Sequence, residues 1–145
     1  MASKKLCVSG TVTDFAVPGA AETQPELTTD DMLRYAEQLP GTPLTLEHLH
    51  PRHGHDHVIV GKFTSAKVAA DRTVKVEALI NNDARGRKTQ EAVENKLLTG
   101  FSLGVALRKN TDAAGNDIYE KEMFECSITA DPAYANATID GTQWL

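Results

Sequence analysis

All five histidines of the chain fall between His48 and His57, in TLEHLHPRHGHDH, ahead of two strand-like segments, TGFSLGVAL and MFECSITADPA. A serine hydrolase needs a nucleophile, a base to take its proton and a group that orients the base. The three segments could supply one each, with His48, Ser102 and Glu125 as the candidates. His50 is the rival base and Asp131 the rival carboxylate. Asp131-Pro132 at a strand end is first of all a turn signal.

The elements that must position these residues follow from periodicity. Lys5 to Phe15 is predicted as an opening strand, followed by a Pro/Gly/Ala loop over Val17 to Pro25. TTDDMLRYAEQL is predicted as a helix: Thr28 or Thr29 is the N-cap, Asp30 and Asp31 fill the first turn, and Met32, Leu33, Ala36 and Leu39 recur at helical spacing. Pro40-Gly41 stops it. Thr42 to His48 alternates as a strand, as does His57 to Val68. Thr73 to Ile80 alternates most cleanly, with Val74, Val76, Ala78 and Ile80 on one face. A second helix is predicted over Asp83 to Leu98, with Ala92, Val93 and Leu97 facing the core. Strands at about 99–108 and 117–130 flank the turn NTDAAGN as a hairpin, and a short strand near Asn136 to Ile139 closes the sheet.

Successive strand side chains point to opposite faces, so Phe101, Leu103, Val105 and Leu107 share an apolar face. Gly100, Ser102, Gly104 and Ala106 share the other, where small neighbours leave Ser102 open to a substrate carbonyl. The same rule sends Phe124, Cys126 and Ile128 inward and Glu125, Ser127 and Thr129 to the polar face. Leu44, Leu46 and His48 share a side, which ends an apolar row on His48. The plain readings are a satisfied strand serine, a solvated glutamate and a loop of histidines that chelates weakly. With neither CxxC nor HExxH beside them, the histidines are read as no metal site, and no cofactor is expected. Asp112, Asn116 and Asp117 belong to a turn, since no glutamate follows at the spacing of a calcium loop.

Composition bounds the answer. With 145 residues, 41% hydrophobic and 24% charged, the chain fits one globular domain over residues 1–145. A formal net charge of -5 with interspersed signs argues against nucleic acid or an anionic membrane as partner. Cys7 and Cys126, distant and without a CxxC, suit buried thiols of a reducing compartment. No run suits a signal peptide or a membrane span, so a soluble, unsecreted protein is expected.

Taken in order, these segments resemble viral capsid-maturation proteases, the tailed-phage prohead proteases and the herpesvirus assemblins. PLTLEH followed by VIVGKF is similar to their histidine segment and the Val-Gly pair of the next strand. TGFSLGVAL resembles the nucleophile strand, with its Gly-apolar-Ser-apolar core. FECSITADPAYANATI resembles the third segment of the phage branch, Glu-apolar-Ser-apolar followed by Pro-Ala. The resemblance covers most of Thr42 to Ile139.

It implies an α+β, mainly β fold: a closed or nearly closed, antiparallel-rich β-barrel with a few flanking helices. It also implies a serine endopeptidase, with His48, Ser102 and Glu125 as triad, that cleaves scaffold and capsid proteins, and itself, inside an immature capsid. That compartment lies in the host cytoplasm for a phage and the nucleus for a herpesvirus. Assemblins carry a second histidine where Glu125 stands and an arginine in the loop that follows. TADPAY has no arginine, so the chain sides with the phage branch, and the backbone N–H groups of Ala133 and Tyr134 become the oxyanion donors. The C-terminal helices that carry the assemblin dimer contact are absent here, which leaves a homo-oligomer open. Two other classes stand beside this reading: a catalytically silent capsid-assembly or scaffold-binding domain on the same fold, and a histidine-rich metal-binding module.

Overall fold

The computed structural model describes residues 5–14, 29–70, 73–132 and 137–145. The loop expected over Val17–Pro25 and the oxyanion residues Ala133 and Tyr134 lie outside them. In chain order the elements are β1 (Leu6–Asp14), α1 (Thr29–Gln38), β2 (Pro43–Leu46), a 3-10 turn (Pro51–His53), β3 (Ile59–Val68), β4 (Thr73–Ile80), α2 (Ala84–Glu94), β5 (Gly100–Thr111), β6 (Asp117–Thr129) and β7 (Ile139–Trp144).

Among the described residues the strands form one seven-stranded sheet in the order β5-β6-β2-β3-β4-β1-β7. Every pairing is antiparallel except β2 with β6. Bulges curl it, at Val12 on β1, at Val60 and Thr64 on β3 and at Phe124 on β6. The two edges touch at one end, where Gly100 bridges Thr138. Beyond that bridge the hairpin of β5 (12 residues) and β6 (13 residues) outruns the six-residue β7. The fold is α+β and mainly β as expected, but where the resemblance implies a closed or nearly closed barrel the sheet is a curled half-barrel that does not close.

One apolar core fills the curl. Leu6, Val8, Leu44, Val60, Phe63, Val74, Ala78, Ile80, Phe101, Cys126 and Ile128 are fully buried in it. On β4 the predicted alternation holds, with Val74, Val76, Ala78 and Ile80 buried and Glu77 exposed. Helix α1 begins as its acidic first turn predicts and packs Met32, Tyr35, Ala36 and Leu39 inward against β3 and its neighbours, while Leu33 is exposed. Both cysteines are free; Cys126 lies in the core, where burial pushes its thiol well above its ordinary value, and Cys7 is half-buried.

Helix α2 starts on the Asp83 carboxylate, which accepts the Gly86 N–H at 2.7 Å. It stops short of Leu98. Lys96 takes the left-handed conformation at φ 58, and the Leu97 and Lys96 N–H groups donate to the Ala92 and Val93 carbonyls at 2.8 and 3.1 Å, a Schellman cap. The cap reverses the expected inward face: Leu97 is 65% exposed and Leu98 is buried in its place. The last strand is likewise later than expected, Ile139–Trp144, and lies against β1. The 112–116 segment is a turn, with the Asp112 carboxylate accepting the Ala114 and Asn116 N–H groups at 2.9 and 2.8 Å. No helix of the described residues is long and apolar enough to cross a membrane.

Candidate active site

Three strands bring their polar residues into one row. Thr45 on β2 pairs in register with Ser127 on β6, which pairs with Ser102 on β5. Paired residues share a face, so the three hydroxyls lie side by side, on the opposite face from the Leu44–Cys126–Leu103 row. All three residues are buried, Ser102 at 1% exposure. Glu125 is the neighbouring residue on that face of β6, two positions before Ser127, paired with Gly104 and 2% exposed.

A bulge re-aims this part of β6. Gly104 pairs with Glu125 and Val105 with Met123, which leaves Phe124 as the extra residue. Phe124 therefore leaves the core, contrary to strict alternation, and Met123 is buried there. The Phe124 ring lies beneath the histidine loop, 5.2 Å from the rings of both His50 and His53, with the Arg52 guanidinium 4.6 Å from its centroid.

A second departure turns His48. Strand β2 ends at Leu46, and Glu47 and His48 take φ of 50 and 58 as the central pair of a tight turn closed by Leu49 N–H to Leu46 O at 2.9 Å. Such turns favour Gly and Asn, and each left-handed non-glycine residue costs about 1–3 kcal/mol. Partners from the end of β6 and from Ala130 just beyond it hold the turn in place. Glu47 N–H donates to Ile128 O at 3.0 Å, and the Glu47 carboxylate accepts the Ala130 N–H at 2.7 Å and the Thr129 hydroxyl at 2.9 Å. His48 N–H donates to Ser127 Oγ at 3.0 Å. His48 thus leaves the apolar row of Leu44 and Leu46 and meets the polar face.

There its Nδ1 donates to Glu125 Oε1. The Ser127 hydroxyl donates to Glu125 Oε2 at 2.7 Å, and His53 Nε2 stands 3.5 Å from Oε1. A buried carboxylate without such donors would be costly. The Glu125 hydrogen bond, opposed by burial, raises the His48 pKa above its ordinary value. For Glu125 burial is the largest single influence and acts upward, yet the hydrogen bonds from His48 and Ser127 outweigh it and hold the carboxyl below its ordinary range.

Of the sequence-predicted residues, the structure brings His48 and Glu125 into contact and sets Ser102 on the same face one strand away. Among the described residues, Ser102 Oγ has no hydrogen-bond partner, and contacts of this kind often tighten only with substrate bound. The space beside Ser102 is not left clear for substrate as expected. A Cβ on Gly104 would stand 2.5 Å from Glu125 Oε1, and one on Gly100 would stand 2.2 Å from Ala137 O and 2.8 Å from the Pro132 ring. The two glycines make room for the protein's own groups. Gly104→Ala should therefore push Glu125 off His48, at about 1–3 kcal/mol for overpacking, with a loss of activity exceeding the loss of folded protein in a parallel thermal melt.

His50, the rival base, accepts the Arg52 N–H at 3.1 Å through Nδ1, and burial, together with the neighbouring His57, lowers its pKa. Asp131 is exposed, and its N–H donates to Thr129 Oγ1 at 3.1 Å. Ser127 was legible as a neighbour of Glu125 at spacing two, but its link to the His48 backbone was not. His57, with Nε2 3.1 Å from Thr45 Oγ1, and His53 likewise acquire partners only in the fold. His48, His53 and Glu125 offer ligand atoms all within 4.8 Å of one another.

A histidine held by a buried carboxylate beside a strand serine is an arrangement of the kind that serine hydrolases use. The family model described as Caudovirus prohead serine protease matches residues 49–144, and the chain belongs to that family. The matched range includes Ser102 and Glu125 and begins one residue after His48. None of the curated proteins compared matches the chain.

Proposed function

We infer that the chain is a capsid-maturation endopeptidase that works by acyl transfer through Ser102, His48 and Glu125. Membership of a prohead serine protease family indicates protease chemistry in capsid maturation, with capsid or scaffold proteins as substrates in the procapsid interior. The observation that carries the residue assignment is the Glu125 carboxylate on His48 Nδ1, on the face that Ser102 shares. With the proton on Nδ1, the Nε2 lone pair is free to take the Ser102 hydroxyl proton as Oγ attacks the scissile carbonyl. Glu125 then balances the imidazolium, and the protonated His48 returns the proton to the leaving amine. Backbone N–H groups of Ala133 and Tyr134 are assigned to the oxyanion on the family resemblance. Cleavage of scaffold, and of the chain itself, follows from the same reading. Co-expression of the chain with its scaffold protein, followed by mass analysis of the fragments, tests it: discrete fragments absent from a Ser102→Ala control are expected, and an intact scaffold would oppose it.

The pH dependence has a definite sign. His48 must be neutral to act, and its raised pKa puts the acid limb of kcat/KM above the ordinary histidine value of about 6.5. Glu125→Gln removes the charge that raises it, so the acid limb should move to lower pH while the plateau falls about 10²–10⁴-fold. Asp131→Asn should change neither. A pH–rate profile in which only the Asp131 variant collapses would transfer the orienting role. For stability the two groups act over different windows. The Glu125 contribution is present above the unfolded carboxyl value of about 4.3 and is lost as pH falls through its lowered folded value. The His48 contribution is complete below about 6.5 and is lost as pH rises through its raised folded value.

A further inference from the structure

We propose that His48, His53 and Glu125 form a binding site for a single Zn²⁺ ion, and that the ion switches the protease off. The inhibitory half rests on His48 being the base; the binding half does not. The ligand atoms lie within 4.8 Å of one another, and His53 Nε2 stands 3.5 Å from Glu125 Oε1. Zinc with N and O ligands at about 2.0–2.2 Å in a tetrahedron separates neighbouring ligand atoms by about 3.4 Å, so a metal fits between that nitrogen and oxygen with little movement. His48 Nδ1 has to draw back from the oxygen it now touches and settle about 3.4 Å from it and from His53 Nε2, a small adjustment for atoms that all lie within 4.8 Å of one another.

The surroundings suit a two-histidine, one-carboxylate site. Ser127 donates to the second carboxylate oxygen at 2.7 Å and fixes its orientation, as outer hydrogen bonds do around metal ligands. The His53 ring packs on Phe124 and stands edge-on to the His48 ring, with centroids 5.2 and 5.4 Å apart. The side chains of His48 and His53 are 31% and 37% exposed, which gives the ion an entry path and leaves the fourth position to water.

The inhibitory step is a proton balance within one ring. Zinc bonds to the Nδ1 lone pair, and the proton that Nδ1 carried moves to Nε2. Metal takes the Glu125 oxygen from that N–H. A neutral imidazole metallated at Nδ1 carries its proton on Nε2 and has no lone pair there for the Ser102 hydroxyl. Removing the ion restores the base.

The test uses the full chain without a polyhistidine tag and zinc sulfate as the probe. Titration calorimetry on Ser102→Ala, which requires no protease activity, should give one Zn²⁺ per chain. In that background His53→Gln should weaken binding at least about 10-fold, while the double change His50→Gln, His57→Gln leaves it intact. In the cleavage assay, zinc should inhibit the wild type reversibly by chelator, and His53→Gln should resist it relative to its own zinc-free rate. Binding that follows His50 and His57 instead, or no stoichiometric binding, would overturn the site. Stoichiometric binding with undiminished cleavage would overturn the inhibition. A wild type that cleaves nothing would count against the protease reading, and the calorimetric result would still decide the site.

Discussion

Ser102→Ala should yield a folded chain that no longer processes a co-expressed scaffold. The substitution deletes one oxygen from a residue that is 1% exposed and has no hydrogen-bond partner among the described residues, so no donor or acceptor is orphaned. The fold should be nearly unaffected: a thermal melt is expected to agree with the wild type within a few degrees. The rate loss should approach about 10⁶-fold, the size seen when a triad nucleophile is removed. Processing at the wild-type rate would take Ser102 out of the mechanism. The neighbouring Ser127 is the natural comparison. Its hydroxyl joins the His48 N–H to Glu125, so Ser127→Ala should loosen the turn and the carboxylate together and lower the rate by a smaller factor.

A loss of similar size, about 10⁶-fold, is expected for His48→Ala, because the variant lacks the group proposed to take the Ser102 proton. His48 is held by its backbone N–H, by the Glu47 contacts to β6 and Ala130 and by Glu125, so its replacement also leaves a buried carboxylate with fewer donors. A modest loss of stability should therefore accompany the loss of rate, greatest above the Glu125 titration range, where the carboxylate is charged. His50→Gln separates base from bystander. Its ring already serves the Arg52 N–H and lies against His57, and most of the activity should survive its loss. Added zinc should not rescue His48→Ala. Equal losses in the two variants, with recovery on zinc addition, would favour a metal enzyme.

Much of this was legible in the sequence where a short-range rule decides conformation. The β4 alternation, the acidic start of α1 and the Asp112 turn each rest on residues within a few positions of one another. The site was legible in its residue types and less so in its geometry. Two irregularities turn its side chains, and neither has a local signature: the Phe124 bulge adds one residue that any sequence accommodates, and the Glu47–His48 turn takes positive φ without Gly or Asn. Contacts from the end of β6 and from Ala130 just beyond it, distant in sequence, hold that turn in place. The half-barrel has the same origin, since sheet closure depends on how far β5 and β6 outrun β7. Leu97 and Leu98 exchanged places because a lysine took the left-handed cap position usually given to glycine.

On the proposed mechanism Ser102 is the nucleophile and His48, held by Glu125, activates it. The most direct measurement is reaction of the active protein with a fluorophosphonate, followed by peptide mass spectrometry to locate the adduct. One adduct per chain on Ser102 is expected, formed much more slowly in His48→Ala and Glu125→Gln. An adduct on Ser127, or a scaffold-processing protein that takes no label at Ser102, would exclude Ser102 as the nucleophile.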